Sequence, residues 1–386
     1  MKRNAQFDLY ALSESRPVMM GLAALWIVLF HSYRLDFFQS PLLSGLHLVG
    51  ILNRLKETGN CGVDIFLFLS GLGLVFSWTR LREKSAHPVR EFYRRRISRI
   101  LPSVLIVSVL YYGFIGTGSV SDWMGKIFLY GHFSAVLDGG RYWFFALLIV
   151  LYLVFPLISR AERRFGSRAI LLAAALSVAG ALLLYFLCPA YFADTEIIWT
   201  RIPIFLLGVY AGGLCLRHKK VPAAVPVLCV PLAVLVWFAA SAVPAPYIFV
   251  RRYVYLLLTP LIVLACAWLC SLRPRAGFFR RAAAAVGACS LEIYLIYENL
   301  YLMDPPAFGS PDAAGVIYAV TVFTASLVLS ALLKTAVGFL SASYRGEAAG
   351  PSRADRPQGE RAPETSGTGR RAGAGSETDE EDGNAQ

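Results

Sequence analysis

AILLAAALSVAGALLLYFLC, residues 169–188, runs for twenty positions without a charged side chain. A helix of that length rises about 30 Å, the thickness of the hydrocarbon layer of a bilayer. In lipid every backbone N–H and C=O must find its partner within the segment, which a helix achieves and an isolated strand does not. The stretch therefore reads as a membrane span, and much of the chain reads the same way. Comparable apolar runs fall at about 18–37, 61–79, 97–115, 141–159, 198–216, 221–241, 252–271, 284–303 and 314–342. Of 386 residues, 56% are hydrophobic and 16% charged, and the mean hydropathy is +0.56, so the composition agrees with the pattern. The expectation is an all-α integral membrane protein of about ten transmembrane helices, multi-pass in the cell membrane. Lys2 and Arg3 precede the first run, but no small-residue cleavage site follows Phe30, so this run is read as a first span rather than a cleaved signal.

Basic residues set the orientation, because short cytoplasmic loops retain Lys and Arg. With the N-terminus inside, 22 Lys and Arg fall on the inner side, concentrated between Arg80 and Arg99, Arg160 and Arg168, Arg217 and Lys220, and Arg273 and Arg281. The outer side holds 8: Arg34, Arg54, Lys56, Lys126, Arg141, Arg201, Arg251 and Arg252. Both termini are expected in the cytoplasm. The net charge of +12 is then a property of inner loops facing anionic lipid, and no nucleic-acid partner is implied. Residues 1–344 form the membrane domain. Residues 345–386, rich in Gly, Ala, Pro, Ser, Glu and Arg and ending TDEEDGNAQ, are expected to be a disordered polar cytoplasmic tail. Most of the seven cysteines lie inside apolar runs with no zinc spacing, so neither a metal nor a disulfide framework is expected.

Ionisable side chains within hydrocarbon are costly, and each asks for a reason. His31 lies roughly 21 Å along the first span, near its outer end, and Asp64 opens the second span from the same side. A carboxylate beside an imidazole would hold its tautomer and stabilise the imidazolium, as a general base requires. Glu298, near the outer end of the ninth span, reaches a similar depth, and Glu292 lies near its middle. Arg34, Arg141, Arg201, Arg251 and Arg252, with Tyr142 and Trp143, are read as a polar rim, although singly each could be an interfacial anchor. On the other side, EFYRRRISRILP carries Arg94, Arg95, Arg96 and Arg99 at spacings that form one guanidinium patch on a helix. Such forks suit phosphate, and they equally suit anionic lipid.

These motifs, in this order, resemble the acyltransferase 3 family of membrane O-acyltransferases from residue 16 to about 340. MGLAALWIVLFHS resembles the family's first helix, with His31 at its catalytic histidine. CGVDIFLFLSGLGL is similar to its second-helix signature, FYRRRISRILP to its arginine-rich third helix, RYWFFALLIVLYLVFPLI to its tryptophan-bearing fourth, and SLEIYLIY to its late helix. The family usually places Arg or Lys eleven residues before the histidine, where this chain has Met20, with Arg16 one turn earlier. A late-helix histidine near Tyr297 is also missing.

The resemblance implies an acyl-CoA, with acetyl-CoA the first expectation, as donor substrate rather than bound cofactor. Its phosphates would lie on Arg94, Arg95, Arg96 and Arg99. His31 would deprotonate a hydroxyl of a cell-envelope polysaccharide or glycoside, or carry the acyl group, while Asp64 orients the ring. Arg34, Arg141, Trp143 and Glu298 would contact substrate. Two other readings stay open: a transporter or flippase of a glycan or lipid precursor, using the buried ionisable groups as a proton relay, and a non-catalytic partner of polysaccharide-assembly proteins.

Overall fold

The structure, a computed structural model, describes residues 6–31, 49–114, 143–244, 247–272, 277–300 and 311–348. The chain divides into two units, Met1–Phe339 and Leu340–Gln386; of the second, the described residues 340–348 are helical. The tail from 349 onward lies outside the described residues.

The described elements are β1 (Gln6–Asp8), α1 (Ala11–His31), α2 (Val49–Glu57), α3 (Cys61–Lys84), α4 (Pro88–Phe114), α5 (Trp143–Phe165), α6 (Arg168–Leu187), α7 (Pro189–Trp199), α8 (Ile202–Leu216), β2 (Lys220–Pro222), α9 (Ala224–Ala242), α10 (Ile248–Leu272), α11 (Phe278–Ala288), α12 (Ser290–Leu300) and α13 (Pro311–Ala348). The expected all-α membrane fold is present, and among the described residues eight stretches are long and apolar enough to cross a bilayer. Over the described residues each apolar run of the sequence falls on a helix, with two revisions. The sixth, 198–216, is α8 preceded by the last two residues of α7, a helix that begins before the run, with the turn Thr200–Arg201 between them and Pro203 in the first turn of α8. The ninth breaks at Cys289 into α11 and α12, and the Lys334 ammonium donates to the Ala288 carbonyl freed by that break, at 2.9 Å.

α3 is the central helix and packs against α1, α4, α5, α8 and α10. Over its apolar window 78% of residues are buried, against 17% for α6, whose leucines point outward as lipid-facing side chains do. Association in lipid rests on close packing rather than on exclusion of water, and small residues supply it. A Cβ on Gly71 would collide with the Phe205 carbonyl, and one on Gly208 with the Phe68 carbonyl, so the backbones of α3 and α8 touch. Gly21 and Gly287 bring α1 and α11 together in the same way. The far end of the bundle is closed by an aromatic stack, Trp78 edge-on to Phe92 at 5.4 Å and Phe92 against Phe155 at 5.6 Å.

The start of α1 is tied to the end of α8 by a short antiparallel pairing the sequence did not suggest, with Phe7 opposite Val221. His218 turns the chain with φ +47°, stacks on Tyr10 at 4.6 Å and meets the Asp8 carboxylate at 3.0 Å. The Asp8 carboxylate also accepts the Tyr10 N–H at 2.8 Å, and that bond first, then His218, holds its pKa below the usual carboxylate value.

Candidate active site

A single cavity of about 490 Å³ reaches both functional regions marked out by the sequence. One end is bounded by His31, Tyr297, Asn60, Trp143, Arg201 and Arg252, the other by Arg16, Arg96, Arg99 and Tyr152. Arg16 and His31 lie on the same helix, fifteen residues apart, which separates their Cα atoms by about 22 Å. The cavity therefore connects two depths of the bundle. Its described lining holds five arginines and one histidine, and no carboxylate.

His31 is the last residue of α1. Its Nδ1 lies 2.9 Å from the Ile27 carbonyl one turn earlier and 3.2 Å from the Tyr297 hydroxyl. A carbonyl can only accept, so the Ile27 contact selects the tautomer with the proton on Nδ1 and leaves the Nε2 lone pair available to take a proton. Tyr297, fully buried on α12, packs its ring against the imidazole at 5.1 Å between centroids.

The structure shows no hydrogen bond between Asp64 and this ring. Its carboxylate is buried and meets Arg201 Nη2 at 3.6 Å, and no contact joins it to His31. The sequence pairing was drawn from depth alone, whereas packing places α8 and α10 behind α3 and turns Asp64 toward them. Arg201 and Arg252 are likewise not rim anchors but interior groups, 1% and 6% exposed. Arg201 donates to the Asn60 carbonyl at 3.5 Å and the Ile197 carbonyl at 3.3 Å, and its guanidinium lies over Trp143 at 4.9 Å. Arg252 is ion-paired to Glu196, and the Tyr255 hydroxyl donates to Asn60 Oδ1 at 2.8 Å. Arg201 Nε and Arg252 Nε are buried without a hydrogen-bond partner. Arg251 does not reach the cavity; it caps the Val243 carbonyl.

At the other end the four-arginine patch divides. Arg94 and Arg95, 70% and 57% exposed, both bind Glu91, at 2.8 and 2.6 Å, and hold its carboxyl at about 2. Arg96 and Arg99 line the cavity. Arg96 donates to Ser77 Oγ at 2.8 Å and lies over the rings of Phe92 and Tyr152 at 5.3 and 5.5 Å. Arg16 joins them from α1, its Nε donating to the Leu69 carbonyl at 2.9 Å. Gly73 makes room for it: a Cβ there would lie 2.6 Å from the Arg16 guanidinium carbon. Met20, one turn on, lines the cavity without a charge, so Arg16 is the cation that α1 presents.

Arg34 and Arg141 lie outside the described residues, as does the side chain of Glu298. Trp143 lines the cavity. Glu292 is buried but turns away from the cavity, accepting from Ser103 at 3.2 Å. Glu196, Asn60, Tyr255 and Tyr297 were not singled out by the sequence reading. Glu196 did carry a signal, being an acidic residue within an apolar stretch, whereas the other three are ordinary helix residues until packed. Among the described residues no group of three or more His, Cys, Asp or Glu is placed to hold a metal.

A bundle of membrane-spanning helices closed around a histidine and five arginines defines an integral membrane protein with an enzyme-like interior. The chain belongs to the acyltransferase 3 family: the family's model, described as an acyltransferase domain, matches residues 18–335. It is thus a multi-pass member of a family of membrane acyltransferases. No curated protein and no solved structure matches the chain.

Proposed function

We propose that the protein transfers an acyl group, in the first instance acetyl, from acyl-CoA to a hydroxyl of a cell-envelope polysaccharide or glycoside. The observation that carries this reading is the single cavity lined by His31 at one end and by Arg16, Arg96 and Arg99 at the other. Three guanidinium groups with no carboxylate in the lining favour a polyanionic group, and charge-assisted forked hydrogen bonds suit phosphate. The positive-inside rule puts that end in the cytoplasm, where acyl-CoA is found, and leaves His31 toward the other face of the cell membrane.

In this reading the acceptor hydroxyl gives its proton to His31 Nε2 while its oxygen attacks the thioester carbonyl carbon. The tetrahedral intermediate then collapses with cleavage of the C–S bond, and the coenzyme A thiolate leaves with the proton held by His31. The Ile27 carbonyl keeps the Nδ1 proton in place throughout, a role more often given to a carboxylate.

The experiment is thiol release from acetyl-CoA by the purified protein with an extract of envelope glycans, followed by mass spectrometry of the glycans. The reading expects an acyl ester that depends on His31. Thiol release without any ester, or an ester formed equally by His31→Ala, would remove it.

A further inference from the structure

At the His31 end of the cavity, Asn60 is placed in a way that packing alone does not explain. It immediately precedes α3, in the N-cap position where asparagine usually turns its side chain back onto the free N–H groups of the first turn. Here it makes no such bond. The residue is only 7% exposed, and its carboxamide is held instead by the fully buried Tyr255, whose hydroxyl donates to Oδ1 at 2.8 Å. The opposite amide orientation would leave that hydroxyl hydrogen without an acceptor. Nδ2 is thereby fixed as the other edge of the amide, and it donates to no group among the described residues. Unlike the sealed Nε atoms of Arg201 and Arg252, it is open to the cavity that Asn60 lines. Gly59 and Gly62 press this turn against the last turn of α1: a Cβ on the first would lie 2.7 Å from Phe30 Cβ, and one on the second 2.7 Å from Ile27 Cγ1. His31 ends that turn of α1 and lines the same end of the cavity.

Acyl transfer from a thioester needs a donor as well as a base. When the acceptor oxygen attacks, the π pair of the carbonyl moves onto its oxygen, and the charge that develops there is best met by a group already in place. A buried amide N–H costs no reorganisation at that moment, and being neutral it favours the charged intermediate over the bound thioester. We propose that Asn60 Nδ2 donates to the carbonyl oxygen of the acyl thioester and stabilises the oxyanion, with Tyr255 as the positioning residue that fixes the amide. The pair returns to re-form C=O as the C–S bond breaks and the coenzyme A thiolate leaves; Asn60 gives up no proton at any step. This rests on the acyltransferase reading and adds to it the group that meets the charge.

The test uses the full-length protein in lipid nanodiscs, with acetyl-CoA and an extract of envelope glycans. Asn60→Ala removes the amide, whereas Asn60→Asp keeps an oxygen for the Tyr255 hydroxyl and replaces the Nδ2 donor with a second oxygen. Both are expected to lower kcat by about 100-fold or more, the usual effect of deleting one oxyanion donor, with donor KM and coenzyme A binding unchanged. Infrared spectra of acetyl-CoA isotopically labelled at the thioester carbonyl, bound without acceptor, give a readout that a merely structural asparagine would not move. The carbonyl stretch is expected at lower frequency in wild type than in either variant. A variant that turns over nearly as fast as wild type, or a carbonyl stretch that is the same in all three proteins, would overturn the proposal and leave the acyltransferase reading standing. If Asn60→Ala does not fold, Asn60→Asp, which keeps the Tyr255 bond, decides on both readouts. No ester from the wild type would sink the acyltransferase reading and this proposal with it.

Discussion

The Arg201 guanidinium lies 3.6 Å from the Asp64 carboxylate, with both side chains almost sealed from solvent. Removing one partner of a buried pair strands the other charge and costs about 3–5 kcal/mol. Asp64→Asn is therefore expected to lower the thermal stability of the solubilised protein far more than His31→Ala does. The double variant Asp64→Asn/Arg201→Gln should recover part of the loss. Melting curves of the four proteins check this; an Asp64→Asn protein as stable as wild type but inactive would return Asp64 to the role of a partner for His31.

Tyr297 touches the imidazole, but the Ile27 carbonyl already selects the tautomer. Tyr297→Phe keeps the ring and loses the hydroxyl, so turnover is expected to fall by about fivefold, corresponding to a net hydrogen bond of about 1 kcal/mol. His31→Ala should abolish transfer with insertion unchanged. Steady-state rates separate the two; a loss of several thousandfold for Tyr297→Phe would make the hydroxyl an obligatory proton carrier.

The division of the arginine patch predicts a division of phenotypes. Arg16→Gln, Arg96→Gln and Arg99→Gln should each raise the donor KM by about 10-fold or more, the value of a hydrogen bond to a charged group, whereas Arg94→Gln and Arg95→Gln should leave it unchanged. Gly73→Ala should mimic Arg16→Gln, because its new methyl occupies the place of the Arg16 guanidinium. Equal donor KM values across the whole set would mean that the cavity end does not hold the donor.

The β1–β2 pairing gives a pH dependence of known sign. The Asp8 pKa is lowered on folding, so its contribution is fully present above the unfolded value of about 3.9 and is lost as the pH falls through the folded value. Hydrogen exchange at residues 6–9 should be faster in Asp8→Asn than in wild type at pH 6, with the difference, after correction for intrinsic exchange rates, shrinking as the pH falls below about 3.9. A difference that grew on acidification would contradict the assignment.

Much of the fold was legible because the membrane imposes it: each apolar run of about twenty residues must become a helix, and the runs coincide with the helices found. Less legible was which groups face each other. The spacing of Arg94, Arg95, Arg96 and Arg99 places them near one another, but the position of α5 decides that Arg96 meets Tyr152 while Arg94 and Arg95 remain outside. His31 and Asp64 share a depth, yet depth does not fix azimuth, and α8 brings Arg201 to Asp64 first. Glu196 was the readable omission, and Arg201 and Arg252 were read as rim groups without partners: charged residues within or bordering apolar runs are costly enough that each warranted a search for a partner across the bundle.

The central claim is that one cavity lets a cytoplasmic donor meet an acceptor from the opposite face at His31. Proteoliposomes should be prepared with the Arg96 end facing the lumen, acetyl-labelled coenzyme A inside, and envelope glycan from cells lacking the protein outside. The account predicts labelled ester on the external glycan, coenzyme A retained within, and no ester with His31→Ala. Ester formed equally by His31→Ala, or unmodified glycan crossing the bilayer with no ester at all, would contradict it.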